Sequence, residues 1–375
     1  MSAAAHPDIR PMVIACGVSM VSIGGILGPI IGGALTEHAG WRWLLHVPEH
    51  DAKPPVTSIL SKLPQKLDLM AFALFAPSCI MFLIAISWGG TIYPWGSAKV
   101  IGLLCGGLAV FTLFPVWCAY RGEEALIPFS LVRRNTVLVA SLVSGLLGGA
   151  SMMVGYYLPL WFQAIKGASP GSSGVMMLPM MLSQIVGSLL SAVLLRKLHY
   201  MPPWAIFGCL LGSIGAGLML TFDVNTGSAQ WIGYQVIAGF GRGIALNMPF
   251  IAVQEELSGA AMAIASSMIT LTQYLAASLC ISAAQAVFVN ELIPAVERHA
   301  PNIDPRSIIR AGATGFVKMV RPEQLLAVRT AYNDALVKIF FIPTATAAGA
   351  SFLSLGFSWK DVGAESKKKS DTDKA

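Results

Sequence analysis

Nine stretches of this chain, each about eighteen residues or longer, run almost without a charged side chain. The longest lie between Asp68 and Lys99, between Arg134 and Lys166, and between Glu256 and Glu291. A helix rises ~1.5 Å per residue, so roughly 20 apolar residues cross the ~30 Å hydrocarbon core of a bilayer. A water-soluble chain of 375 residues has interior for only a few such segments. Nine of them predict an all-α, polytopic membrane helix bundle.

Composition points the same way. Charged residues make up 12% of the chain and hydrophobic ones 55%, whereas soluble domains carry about 25% charge. The 37 glycines also fit, because small residues let transmembrane backbones approach where no water-driven force presses helices together. The net charge of +6 resides in loops and tail, which reads as membrane topology rather than nucleic-acid binding. All six cysteines (Cys16, Cys79, Cys105, Cys118, Cys209, Cys280) fall inside apolar runs and lack metal-ligand spacing. They are expected as small buried packing residues, not as a disulfide framework. Residues 12–35 are too long for the apolar core of a cleavable signal peptide.

Spans are expected near 12–35, 69–88, 99–119, 137–164, 173–195, 203–222, 231–253, 263–289 and 339–358. Basic residues gather in loop 41–67 (Arg42, Lys53, Lys62, Lys66), in 121–136 (Arg121, Arg133, Arg134), at Arg196 and Lys197, and in the tail 359–375 with Lys367, Lys368 and Lys369. Short basic loops stay in the cytoplasm, which places these segments inside. The connection 291–338 carries Arg298, Arg306, Arg310, Lys318, Arg321 and Arg329. Long loops obey the charge rule poorly, and the alternation of spans puts it outside, as a partly helical cap with apolar Ile308, Ile309 and Phe316. Trp88, Tyr93 and Trp95 suit a membrane–water interface. One inconsistency stands out: the first span lies between Arg10 and the basic loop 41–67, and a single crossing cannot begin and end on one side. Either the amino terminus is outside or a span is missing between Trp43 and Pro48. A missing span is the favoured expectation.

In the first span Gly24, Gly28 and Gly32 recur every four residues, lining one helix face beside Pro29, with Gly33 following. By physics alone this is a close-packed, bent helix interface. The pattern G-x-x-x-G-P-x-x-G-G followed by Trp41-Arg42-Trp43 is more specific. It resembles the antiporter motif in the fifth span of the fourteen-span drug–proton antiporter branch of the major facilitator superfamily, particularly its fungal toxin and multidrug efflux pumps. LDLMAFALF leading to SWGG and YPW is similar to that family's seventh span, residues 155–179 to its ninth and tenth, and WIGYQVIAGFGRG (231–243) to its twelfth.

The resemblance implies a domain order. Residues 1–40 are a remnant of the amino-terminal lobe (fifth span) and 41–67 a cytoplasmic loop. Residues 68–120 are two inserted linker spans and 121–136 a second cytoplasmic loop. A six-helix carboxy-terminal lobe follows at 137–358, with the long loop 291–338, and then the basic cytoplasmic tail 359–375. Spans one to four and six of the family are expected to be absent. Where the family has a glycine pair just after Gln273, this chain has Ala276-Ala277.

Arg242 is the only charge well inside a span. Inserting an arginine there costs ~2.5–3.5 kcal/mol, so it must face a cavity or a partner. Two readings stand side by side: an electrostatic element of a transport pathway, and a structural arginine bonded to a neighbouring helix's carbonyls. Gly239, Gly241 and Gly243 around it permit close helix approach or a kink. Tyr156, Tyr157, Gln163, Gln184, Tyr234, Gln235, Asn247 and Gln273 are candidates to line a substrate cavity, since aromatic faces with a few amides suit large, mostly apolar solutes. Tyr157 and Tyr234, with Trp161 and Trp231, also fit as interfacial anchors. His46 and His50 have metal-ligand spacing, but the other histidines are scattered, and a solvated junction is the favoured reading. No nucleophile motif, phosphate cradle or paired intramembrane carboxylate is visible, so an enzyme, a metal site and a cofactor are not expected.

What the family resemblance implies is a multi-pass, monomeric exporter of hydrophobic small molecules, drugs or secondary-metabolite toxins, driven by protons and working by alternating access. The plasma membrane is the expected location, ahead of the vacuolar membrane. With most of the first lobe missing, the chain as written is expected not to transport by itself. The alternatives are a non-transporting membrane fragment or incomplete gene product, and a siderophore or small-solute carrier on the same fold.

Overall fold

The computed structural model describes residues 68–359 except 123, 124 and 199; the first-span motif with Gly24, Gly28, Pro29, Gly32 and Gly33, and His46 and His50, lie outside the described residues. Within them the chain is helical from end to end, with one isolated β-bridge between Gly89 and Tyr93. Eight helical segments are long and apolar enough to cross a membrane. The principal helices are α1 (Leu69–Trp88), α2 (Ala98–Arg121), α3 (Asn135–Lys166), α4 (Leu178–Leu198), α5 (Pro202–Leu218), α6 (Ser228–Leu246), α7 (Met248–Glu256), α8 (Gly259–His299), α9 (Pro305–Met319), α10 (Pro322–Ile339) and α11 (Phe341–Ser354).

Helices α1 and α2 form a hairpin that touches the rest chiefly through α8. Only 17% of the most apolar stretch of each is buried, against 67% for α3, so the hairpin presents most of its surface outward, where Phe72, Leu108 and Val116 lie exposed. Cys105 shares that outward surface, whereas Cys118 and Cys209 are buried as expected. The turn between the two helices is held by the Trp88–Tyr93 ring contact, with centroids 5.7 Å apart. At the opposite end Asp68 ties the pair together. Its Oδ1 accepts from Ala71 N–H at 3.1 Å, capping α1, and from Trp117 Nε1–H of α2 at 2.9 Å.

Burial works to raise the Asp68 carboxyl, but the Trp117 and backbone donors, with Arg121 nearby, outweigh it and hold the group below its ordinary carboxylate range. A depressed value in the folded state means that the stabilisation is complete above the ordinary range and is lost as pH falls through the lowered value. Asp68→Ala should cost about 1 kcal/mol. It should also flatten the acid limb of a pH–stability profile measured by thermal unfolding, and an unchanged acid limb would count against this role.

The remaining helices form a bundle whose packing has an internal symmetry. Helix α3 packs on α8 and α11, α6 packs on α4 and α5, and α5 packs on α11. Exchanging α3 with α6, α4 with α8 and α5 with α11 returns the same set of contacts. Each set holds three crossings, so the second repeat runs inverted relative to the first. The addition outside this pattern is α10, which leans on α8.

Residues 291–338, expected as a long connection with some helical character, are helical for almost their whole length. Helix α8 runs on to His299, and α9 and α10 follow. Pro305 and Pro322 sit in the first turns of α9 and α10, where the missing N–H has no intrahelical partner to lose, and Asp304 caps α9 by accepting from Arg306 N–H. The stripe Val328, Tyr332, Ala335, Leu336 and Ile339 of α10 is fully buried, and Ile308 and Phe316 of α9 join the same core. An amphipathic helical pair is thus packed onto the bundle through this shared core.

Candidate functional site

Helix α6 packs closely against both α4 and α5 because glycines remove its side chains on two flanks. Toward α4, a Cβ at Gly239 would lie 2.2 Å from the Met180 carbonyl oxygen and one at Gly243 2.1 Å from that of Gln184. Toward α5, a Cβ at Gly241 would lie 2.3 Å from Gly212 N. Such approach is open only to glycine. The expectation that these glycines serve close packing is met, and α6 stays helical through all of them.

The third face of α6 turns to α3. Trp231 meets Phe162 of α3 with ring centroids 5.0 Å apart, and Arg242 reaches Ser151 of α3, its Nη1 donating to the Ser151 carbonyl at 3.4 Å. Gln235 lies between these two layers, seven residues (two turns) before Arg242 on the same face. It is wholly buried, and neither amide atom has a protein partner. Arg242 stands at the midpoint of the crossing Ser228–Glu256, and Ser151 at the middle of α3. The two therefore meet where the symmetry-related helices α3 and α6 cross. Among the described residues no carboxylate pairs with Arg242.

The substrate-cavity candidates separate into two groups. Tyr156 is 54% exposed, and Gln163, Tyr234 and Gln273 are partly so. Gln163 Nε2 donates to Ser173 Oγ at 3.0 Å. Tyr234 stacks on Phe222 and accepts from Thr221, while Gln273 packs its stem against Gly148 across the α3–α8 contact. The other four are inside the packing. Tyr157 is fully buried and donates to Gln285 Oε1 at 3.3 Å. Asn247 donates to Ser188 Oγ at 2.8 Å, Gln184 lies buried beside Gly243, and Gln235 is buried on the α3-facing side of α6. In this conformation Tyr156 and the edges of Gln163, Tyr234 and Gln273 are open to the surface.

Sequence reasoning passed over Asn333. It is buried on α10, accepts from Trp161 Nε1–H at 2.8 Å and donates to the Phe222 carbonyl at 3.0 Å. Trp161 in turn stacks on Phe222 at 4.5 Å, so one amide joins α3, α10 and the turn that follows α5. The spacing of Val328, Ala331, Tyr332, Ala335 and Leu336 was the available signal that this segment is a buried helix. Among the described residues no cluster of His, Cys, Asp and Glu has the geometry to hold a metal ion.

The bundle and its central polar layer can be set beside known proteins. The family described as fungal trichothecene efflux pump (TRI12) matches residues 57–351. The MFS-type transporter pigP of Monascus ruber is 38% identical over 370 residues, covering 94% of this chain and 65% of its own length. The MFS-type efflux pump MFS1 of Trichophyton rubrum is 36% identical, with 94% and 69% covered. The efflux pump mlcE of Penicillium citrinum is 34% identical, with 96% and 70% covered. The chain thus spans about two thirds of the length of these relatives. They are transporters rather than enzymes, and the eight apolar helices agree with a multi-pass membrane protein. A family match across more than half the chain, joined to this all-helical bundle, establishes that the chain belongs to the fungal trichothecene efflux pump family of MFS-type transporters.

Proposed function

We propose that the protein carrying this chain exports hydrophobic small molecules, drugs or secondary metabolites, across the plasma membrane as a monomer, by proton antiport and alternating access. The family match over residues 57–351 carries this reading. The inverted three-helix repeats support it, since rocking one bundle against another about a midplane site is how folds of this kind alternate access. The outward aromatic and amide groups Tyr156, Tyr234, Gln163 and Gln273 are the contacts we assign to the solute, with polar atoms fixing orientation on a mostly apolar surface. The antiporter-type pattern Gly24, Gly28, Pro29, Gly32 and Gly33 contributes the proton-exchange reading. No cofactor enters the scheme.

The test is accumulation of a lipophilic fluorescent dye in yeast lacking its own drug pumps and expressing the full-length protein at the cell surface. Dye accumulation should fall several-fold and return to the control level when a protonophore collapses the gradient. Surface-localised protein with unchanged accumulation across a panel of apolar dyes would overturn the exporter reading. Export that survives the protonophore would overturn the antiport step alone.

A further inference from the structure

The meeting point of α3 and α6 holds a positive charge that the described protein groups leave under-satisfied. A guanidinium carries five N–H donors and no acceptor. On Arg242, one Nη1 donor makes a long bond of 3.4 Å to the Ser151 carbonyl, and the buried Nε finds no protein acceptor. Ser151 Oγ is also buried without a protein partner. Both residues line a small cavity of about 30 Å³, otherwise walled by apolar groups such as Leu147, Val154, Gly208, Gly212, Ala238 and Pro343. No carboxylate among the described residues lies within ion-pair reach of the guanidinium.

Size and charge together define what fits. Organic ligands need cavities of about 300–1,000 Å³, so this space is no solute site. It exceeds the ~10–15 Å³ that one water requires, yet water leaves the charge uncompensated at the centre of the bilayer, where ions are most costly. A compact anion answers both needs, accepting several N–H bonds at once while neutralising the charge. We propose that the cavity between Arg242 and Ser151 binds one monovalent inorganic anion of about the size of chloride. The Arg242 guanidinium and the Ser151 hydroxyl donate to it, and the anion locks α3 to α6 at the pseudo-symmetry axis. The inference does not depend on what the protein exports.

The experiment uses the full-length protein in detergent, with chloride replacing gluconate at constant ionic strength. The unfolding temperature should rise by several degrees and saturate with chloride. The ³⁵Cl resonance should show protein-dependent broadening that bromide competes away. Arg242→Gln should lose both signals, and Arg242→Lys, which keeps the charge, should retain them with several-fold weaker affinity. Equal stability in chloride and gluconate, or saturable broadening that survives in R242Q, would overturn the site. If R242Q does not fold, Ser151→Ala decides: several-fold weaker bromide competition supports the site, and unchanged competition sinks it.

Discussion

Gly243→Leu is expected to leave little folded protein. The Cβ alone would stand 2.1 Å from the Gln184 carbonyl oxygen and 2.9 Å from Ser188 N. Overpacking a core typically costs ~1–3 kcal/mol because neighbouring side chains can shift. Here the opposing atoms are backbone of α4, so relief requires moving one whole helix away from another, and the loss should exceed that range. Gly243→Ala should already lower the unfolding midpoint markedly. Gly233 on the same helix meets nothing within 4 Å, so Gly233→Ala should be neutral or slightly stabilising. Fluorescence-detected size exclusion with thermal challenge separates the cases. A sharp G243L peak with the wild-type midpoint would mean that α4 and α6 do not pack this closely.

Asn333→Leu should produce the second-largest loss, about 2–4 kcal/mol. The substitution keeps approximate volume but strips partners from the buried Trp161 Nε1–H and Phe222 carbonyl, each worth ~1–3 kcal/mol when left unpaired. The loss should be local as well as global. Helix α10 should exchange amide hydrogens faster in N333L than in the wild type, and Trp161 emission should change as its stacking on Phe222 loosens. Leu326→Ala, 65% exposed on the same helix, should leave both readouts near wild type. Unaltered exchange across α10 in N333L would show that the amide does not pin it.

Much of the architecture was legible because lipid imposes a blunt rule on sequence. A crossing needs a long uncharged run, and the expected spans at 69–88, 99–119, 137–164, 173–195, 203–222 and 231–253 each fall, to within a residue, inside a helix or consecutive helices. The same rule says little about 291–338, expected only as a partly helical cap, since α9 and α10 are amphipathic and charged on one side. Their helical nature rests on a buried stripe at 3.6-residue spacing and on proline first turns, signals that a search for uncharged runs overlooks. Arg242 was conspicuous as a charge in an apolar run, and the glycines beside it pointed to close packing. Neither feature revealed which helix each would meet.

Chain order and local chemistry were enough to specify helices, their number of crossings among residues 68–359 and the small-residue flanks of α6. These follow from backbone satisfaction in lipid and from side-chain size, which act over a few turns. Which residues face one another depends on contacts between helices far apart in the chain. Only assembly brings Ser151 of α3 to Arg242 of α6, buries Tyr157 and Gln235 while exposing Tyr156, and carries Asn333 to Trp161. Rotation of a helix about its axis is set by the packing of its neighbours, and one sequence read along its length holds no record of that angle.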